Sequence, residues 1–560
     1  MLRSLPTLPD LRPDAVGRKP TGSRLQANNA SSQGTTMFDV ILKGGWVIDG
    51  AGGPPFRADV GLLDFMIAAV GRLDEATAPL MLDVSERYVA PGFIDAHVHG
   101  DLSLLADPHG VGLAALKQGI TTFVIGQDGT SVAPGRPETI AFLRRYAAGF
   151  NGDPASVPTT WESVADYLAR FDRSTPLNVA YLIPNGNLRL DAIGHDPRPA
   201  GDEDLAAMVR AVREGMEAGA VGVSSGLDYL PSKYADAREL AALAREAARF
   251  DGIYVTHMRG YGHLAARGVA EVVEIARRSG AACHISHYNG PAELLLPLID
   301  SARASGLDLT FDTYPYEAGS TILSMVALPE ESQAGGIEAT LERLADPTHR
   351  DDLRRTWFSP ENATRRTFPL EGIRLAMVDH PDWCWAEGLT LADAAAQAGL
   401  DLADLVCELL VVTQLAVGTV VFAGDRAEAD IRAILRHPAH MAGSDGIYLG
   451  GRPHPRGFGA FARYLGRHTR TLGDYSWGEA VVHLASHAAR RHRLTDRGLL
   501  RPGYAADIVV FDPHAVNDRA DYADGKRLAE GVDHVFVNGI LALHDGRPTG
   551  ATPGRALRRG

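Results

Sequence analysis

Cysteine is scarce in this chain, and so is lysine. The three cysteines, Cys283, Cys384 and Cys407, are odd in number and far apart. That argues against a disulfide framework and suits a reducing compartment. Acidic residues outnumber basic ones, 69 against 55, for a formal net charge of -14. Without a basic excess to neutralise phosphates, a nucleic-acid partner is not expected. No uninterrupted apolar run approaches the length that crosses a bilayer, so no membrane association is expected. The first 36 residues have no apolar h-region of a secretory signal. They contain Pro, Ser, Asn and Arg and read as a disordered extension. Met37 then opens the folded part, and a cytoplasmic location is expected.

What is present is ample core. Hydrophobic residues make up 45% of the 560 positions and charged residues 22%, the first ample for a large core and the second ordinary for a soluble protein. From Phe38 to Val89, short strand candidates such as Val40-Ile41-Leu42 and Trp46-Val47-Ile48 alternate with glycine turns, a pattern that predicts an antiparallel β unit. The texture returns near the C-terminus in Gly503–Phe511 and in a hairpin about Asn538-Gly539. These two parts, 37–90 and 498–560, predict one small discontinuous β-sandwich.

Between them the pattern becomes strand, loop, helix, repeated. Strand candidates are 121–125, 177–182, 220–223, 253–256, 282–286, 307–311, 419–422 and 440–443, with helices over 236–250 and 268–280. About eight such units in one run predict an α/β fold, a TIM (β/α)8 barrel over 91–497. Residues from about 325 to 395 break the rhythm and read as an insertion over the barrel mouth.

In such a barrel the chemistry sits where strands end at the C-terminal face. An apolar strand runs into Asp95-Ala96-His97-Val98-His99, whose two imidazoles fall on one side of an extended chain. His257 closes a later strand, His287 the next, and Asp445 the last, while Asp128 follows the strand after His97 and His99. Taken singly, a strand-end histidine is more often satisfied or solvent-facing than a ligand. Four histidines and up to two carboxylates at one face are enough for two divalent ions.

A set of longer motifs surrounds these residues. The motifs are Pro-Gly-Phe-Ile-Asp-x-His-x-His at 91–99, Ser-Ser-Gly-Leu at 224–227, His-Met-Arg at 257–259 and Ile-Ser-His at 285–287. To these add Tyr-Pro-Tyr-x-Ala-Gly-Ser at 314–320, Gly-Ser-Asp-Gly at 443–446, His-Pro-Arg at 454–456 and Pro-Gly-x-x-Ala-Asp-Ile-Val-Val-Phe-Asp at 502–512. Together these resemble the amidohydrolase superfamily, and within it the N-acyl-D-amino-acid deacylase (D-aminoacylase) branch, and the resemblance runs from Phe38 to about Arg558. It implies one or two zinc ions, held by His97 and His99 with Asp445 and by His257 and His287. Asp128 stands where that branch usually has a cysteine. The resemblance also implies that Arg456 pairs with a substrate carboxylate and that Tyr314 and Ser320 line its pocket. Asn289 stands where relatives often carry lysine, and Asn185 where many carry histidine; both departures are expected to touch substrate contacts. A carboxylated lysine bridge is not expected, since of the five lysines only Lys233 falls near the mouth.

The activity implied is hydrolysis of an N-acyl-D-amino acid, a small-molecule substrate, to a carboxylate and a free D-amino acid. Metal-activated hydroxide would attack, with Asp445 as general base. Two alternatives stay open. One is a hydrolase of another amide, a D-residue-containing dipeptide or a cyclic amide. The other is a non-catalytic scaffold of the same fold.

Overall fold

Eight short apolar segments, buried on both faces, form one parallel sheet that curls on itself. In the computed structural model, which describes residues 37–365, 369–424 and 426–559, they are β1 (Phe93–Asp95), β2 (Ile120–Ile125), β3 (Asn178–Pro184) and β4 (Gly222–Gly226), followed by β5 (Ile253–His257), β6 (Ala282–Ile285), β7 (Leu309–Thr313) and β8 (His440–Ala442). Neighbours in sequence are neighbours in the sheet, all pairs parallel. Every residue of Ile120–Ile125 and of Asn178–Pro184 is buried. Continuous burial is what a parallel strand experiences when side chains fill the barrel on one face and helices cover the other. The barrel closes between β8 and β1: the Ala96 N–H donates to Ala442 O at 3.1 Å, and Asp445 N–H to His97 O at 2.7 Å. The expected TIM barrel is therefore present, and the extension expected over 1–36 lies outside the described residues.

Helices alternate with the strands and start and stop where local chemistry dictates. Ala237–Ala248 begins at Asp236, whose carboxylate accepts from the Glu239 N–H, an N-cap bond. Ala265–Ser279 ends at Gly280, in the left-handed conformation (φ 72°) that glycine enters without a Cβ penalty.

The connection from β7 to β8 is far longer than the others, 314–439, and it contains the stretch 325–395. It carries its own antiparallel sheet, Gly319–Ile322 and Arg374–Val378 flanking Val417–Val421. The strand predicted at 419–422 as part of the barrel belongs here instead. An apolar run buried on both sides looks alike in a parallel barrel and in the middle of a small covered sheet.

Strands from both chain ends make the second domain. Tyr88–Pro91 pairs antiparallel with Ile508–Phe511, joining five N-terminal strands to four C-terminal ones in one sheet. Their apolar faces meet around Val40, Val60, Val89, Ile508 and Phe536. Asp507 ties this domain to the foot of β3: it accepts from Asn178 Nδ2 at 2.9 Å and from the Asn538 N–H at 2.6 Å, and it pairs with Arg497. Among the described residues no helix is long and apolar enough to cross a membrane.

Candidate active site

All four histidines predicted as ligands reach one place at the C-terminal mouth of the barrel, and Asp128 stands in the middle of them. Its Oδ1 lies 3.6 Å from Nε2 of both His97 and His287. Its Oδ2 lies 3.7 Å from His99 Nε2 and from His257 Nδ1. The two rings from β5 and β6 face each other, His257 Nδ1 to His287 Nε2 at 3.1 Å. Asp445 approaches from β8, with Oδ1 3.2 Å from His99 Nε2 and 3.6 Å from His97 Nε2.

Backbone geometry aims these groups. Asp128, His287 and Asp445 have φ of 54°, 35° and 51°, a left-handed region that non-glycine residues enter at a cost, most often at functional sites. Each sits just past a strand, where the chain bends over the mouth and turns the side chain inward. Gly226 at the end of β4 makes room for one of these bends, since a Cβ there would fall 2.0 Å from Asp128 O.

The charges are arranged for a cation. Burial disfavours the charged form of His97, but Asp128, Asp312 and Asp445 outweigh it and hold the ring up at about 9. His257 is pushed to about 10 against its own desolvation by Asp128 and Asp228. Burial would raise the Asp445 carboxyl, yet Arg456, His97 and His99 keep it well below the usual carboxylate range. Both ring nitrogens of His97, Nδ1 of His99 and Oδ1 of Asp128 are buried without a hydrogen-bond partner among the described residues. The nitrogen and oxygen atoms of the cluster stand 3.1–3.7 Å apart, which fits a tetrahedral ion, whose ligand atoms at bonds of about 2.0 Å stand roughly 3.3 Å apart. The residues present therefore fit the metal that the sequence implies.

Two carboxylates not singled out in the sequence complete the surroundings. Asp312, the last residue but one of β7, is wholly buried; its Oδ1 accepts the His287 N–H at 2.9 Å, and its Oδ2 lies 2.9 Å from His284 Nε2 and 3.6 Å from His97 Nδ1. Asp228 lies 3.0 Å from His257 Nε2, fixing that ring so that Nδ1 faces Asp128. Such outer partners set the tautomer and orientation of ligand histidines.

A family model described as the amidohydrolase family matches residues 81–541. The chain belongs to the amidohydrolase family. It is 36% identical over 531 residues to the N-acyl-D-glutamate deacylase of Alcaligenes xylosoxydans xylosoxydans, covering 93% of this chain and 97% of that one. To the D-aminoacylase of the same organism it is 34% identical over 541 residues, covering 94% and 99%. A crystal structure of the Bordetella bronchiseptica N-acyl-D-glutamate deacylase, complexed with zinc and a phosphonate mimic of the tetrahedral intermediate, superposes with a TM-score of 0.76 at 33% identity, covering 93% of this chain and all of that one. The resemblance read from the motifs is borne out.

In this amidohydrolase the site opens into a cavity of about 840 Å³. Its floor is His99, Asp128, His257, His287 and Asp445; Phe150, Tyr229, Met325, Val421 and Ile447 give it apolar walls. Tyr314, Ser320 and Asn289 line it as well, and Asn289 Nδ2 donates to His287 O at 2.6 Å. Arg456 is placed differently from the expectation. It is fully buried behind the floor, with Nη1 2.8 Å from Asp445 Oδ2 and Nη2 donating to Ser320 O at 3.1 Å. Asn185, expected near substrate, is buried away from the cavity and accepts from Ser232 Oγ at 2.8 Å. Lys233 lines the rim, 2.8 Å from Glu330.

Proposed function

We propose that this amidohydrolase is a zinc-dependent deacylase of N-acyl-D-amino acids. The observation that carries the reading is Asp128 between two histidine pairs, with the Asp445–Arg456 pair at the edge of a cavity sized for a small acylated amino acid. His97, His99 and Asp445 would hold one zinc, and His257 and His287 another, with Asp128 between the two. When bound, the metal supplies an acidified water and polarises the amide carbonyl.

The chain's own groups do the rest. Asp445 is ionised at neutral pH because Arg456 faces its Oδ2 and His97 and His99 face its Oδ1. It takes the proton of the attacking water and returns it to the departing amine nitrogen. Asp312 and Asp228 hold His97, His287 and His257 in place through the cycle. The apolar walls exclude bulk water, which strengthens the electrostatic terms at the reacting carbonyl.

Metal analysis together with paired assays tests the reading. The purified protein is expected to carry one to two equivalents of zinc and to hydrolyse N-acetyl-D-amino acids in preference to their L-enantiomers. Hydrolysis of a cyclic amide or a D-residue-containing dipeptide, with no action on N-acyl-D-amino acids, would overturn it.

A further inference from the structure

Among the described residues five arginines are buried: Arg189, Arg426, Arg456, Arg491 and Arg497. Four of them face a carboxylate. Arg189 pairs with Glu239, Arg456 with Asp445, Arg491 with Asp308 and Arg497 with Asp507. Arg426 is the exception: no described carboxylate lies within ion-pair distance of it. It is only 6% exposed, and its Nε and Nη2 are buried with no hydrogen-bond partner among the described residues. A buried guanidinium without a counter-charge is expensive, so its surroundings are complete only when an anion arrives.

Its position says where that anion would come from. Arg426 lines the same cavity as His99, Asp128, His257, His287 and Asp445. Its Nη1 donates to Tyr314 Oη at 2.6 Å and to Ala318 O at 3.3 Å, and its Cζ lies 4.4 Å from the centre of the Tyr314 ring. Arg456 lies against the same ring at 4.5 Å. Tyr314 is therefore shared by two guanidiniums; both keep two donors without a hydrogen-bond partner among the described residues, Nε and Nη1 on Arg456 and Nε and Nη2 on Arg426, but only Arg456 has a carboxylate, Asp445, beside it. The other cations along the cavity are already matched, Lys233 by Glu330 and Arg259 by Glu271, or stand at its exposed rim as Arg267 does.

We propose that Arg426 is a specificity-determining residue that binds a carboxylate of the substrate, held in position by Tyr314. This rests on the reading of the cavity as an N-acyl-D-amino-acid site. A planar guanidinium with two free donors matches a carboxylate in geometry as well as charge. Arg456 acts on Asp445, and Arg426 acts on the substrate. The carboxylate has two possible sources, the α-carboxylate that every such substrate carries or the side-chain carboxylate of an acidic one.

The experiment compares the zinc-loaded wild type with Arg426→Gln and Arg426→Lys, using N-acetyl-D-leucine and N-acetyl-D-glutamate. Inhibition by acetohydroxamate, a metal chelator without a carboxylate, is measured on each. In Arg426→Gln the KM is expected to rise by roughly 10- to 100-fold, the scale of a lost charge-assisted pair in a buried site. kcat falls less, Arg426→Lys restores part of the loss, and the acetohydroxamate inhibition constant stays within about twofold. A rise for both substrates assigns Arg426 to the α-carboxylate; a rise for N-acetyl-D-glutamate alone assigns it to the side chain. Unchanged KM values in Arg426→Gln overturn the proposal. So does a parallel loss of acetohydroxamate binding, which would mean that Arg426 only props the site. If the wild type hydrolyses neither substrate, the deacylase reading itself fails, a result distinct from either of these.

Discussion

Arg456 and Asp445 form a buried ion pair at the edge of the histidine cluster, Nη1 to Oδ2 at 2.8 Å, with neither side chain open to bulk water. The pair suits the two roles proposed for this carboxylate. Its Oδ1 points at the histidines, while its Oδ2 is held by a charge that keeps the group ionised.

Asp445→Asn keeps the shape and removes the proposed proton acceptor. Turnover is expected to fall by roughly three to five orders of magnitude, the combined scale of general-base and electrostatic effects. Zinc measured by elemental analysis should stay above half of the wild-type value, since the histidines remain. Near-normal turnover would remove Asp445 from the role of base.

Arg456→Met leaves Asp445 buried without its counter-charge. The carboxyl then moves up from its depressed value, so the acid limb of the kcat/KM profile shifts to higher pH. Breaking a buried pair costs on the order of 3–5 kcal/mol, and the melting temperature should fall with it. A pH profile superimposable on the wild type would show that Arg456 does not set the ionisation of Asp445.

Asp128 lies within 3.7 Å of all four histidines. Asp128→Ala removes the carboxylate between the two pairs, and bound zinc should drop by about one equivalent or more. Asp128→Asn, neutral and a poorer donor, should fall between the two. Full zinc content in Asp128→Ala would mean that each histidine pair holds its ion without help.

Much of this was legible because barrel geometry leaves little freedom. Once strands end at His97, His257, His287 and Asp445, a parallel barrel must bring them to one mouth. Asp312 and Asp228 were not legible, because they act on ligand histidines from other strands and loops, at no fixed spacing in the chain. Arg456 was assigned to the substrate through its motif, and only the three-dimensional structure sets it against Asp445. The run at 419–422 misled for a different reason: hydrophobicity reports burial, not which sheet does the burying. Arg426 lies in a loop with no periodicity to mark it, and its significance appears only when the partners of every buried arginine are compared.

Stability against pH distinguishes the metal-free protein from the loaded one. His97 and His257 are raised to about 9 and about 10 by the surrounding carboxylates, from about 6.5 in an unfolded chain. A raised histidine contributes stability that is fully present below the unfolded value and is lost as pH climbs through the folded one. After chelation, the melting temperature should therefore decline from about pH 6.5 to 10. Zinc displaces those protons, so the loaded protein should show a flatter curve and tighter metal binding as pH rises. Identical slopes with and without zinc would contradict this account of the cluster.

The last prediction concerns the joint between the two domains. Asp507 belongs to the sequence motif at 502–512, yet it lies far from the metal ligands, at the foot of the barrel. It accepts from Asn178 on β3 and from the Asn538 backbone, and it pairs with Arg497, whose Nη2 donates to Asn538 Oδ1 at 2.9 Å. Asn538 Nδ2 returns a bond to Asn178 Oδ1 at 2.7 Å. Every member is buried, so removing the carboxylate strands one charge and three donors together. Asp507→Ala should destabilise by about 3–5 kcal/mol, read as a lower denaturation midpoint. Zinc content and the KM of the surviving folded fraction should be unchanged, because none of these groups touches the cavity. A variant of normal stability would show that the sandwich and the barrel are held by their apolar contact alone.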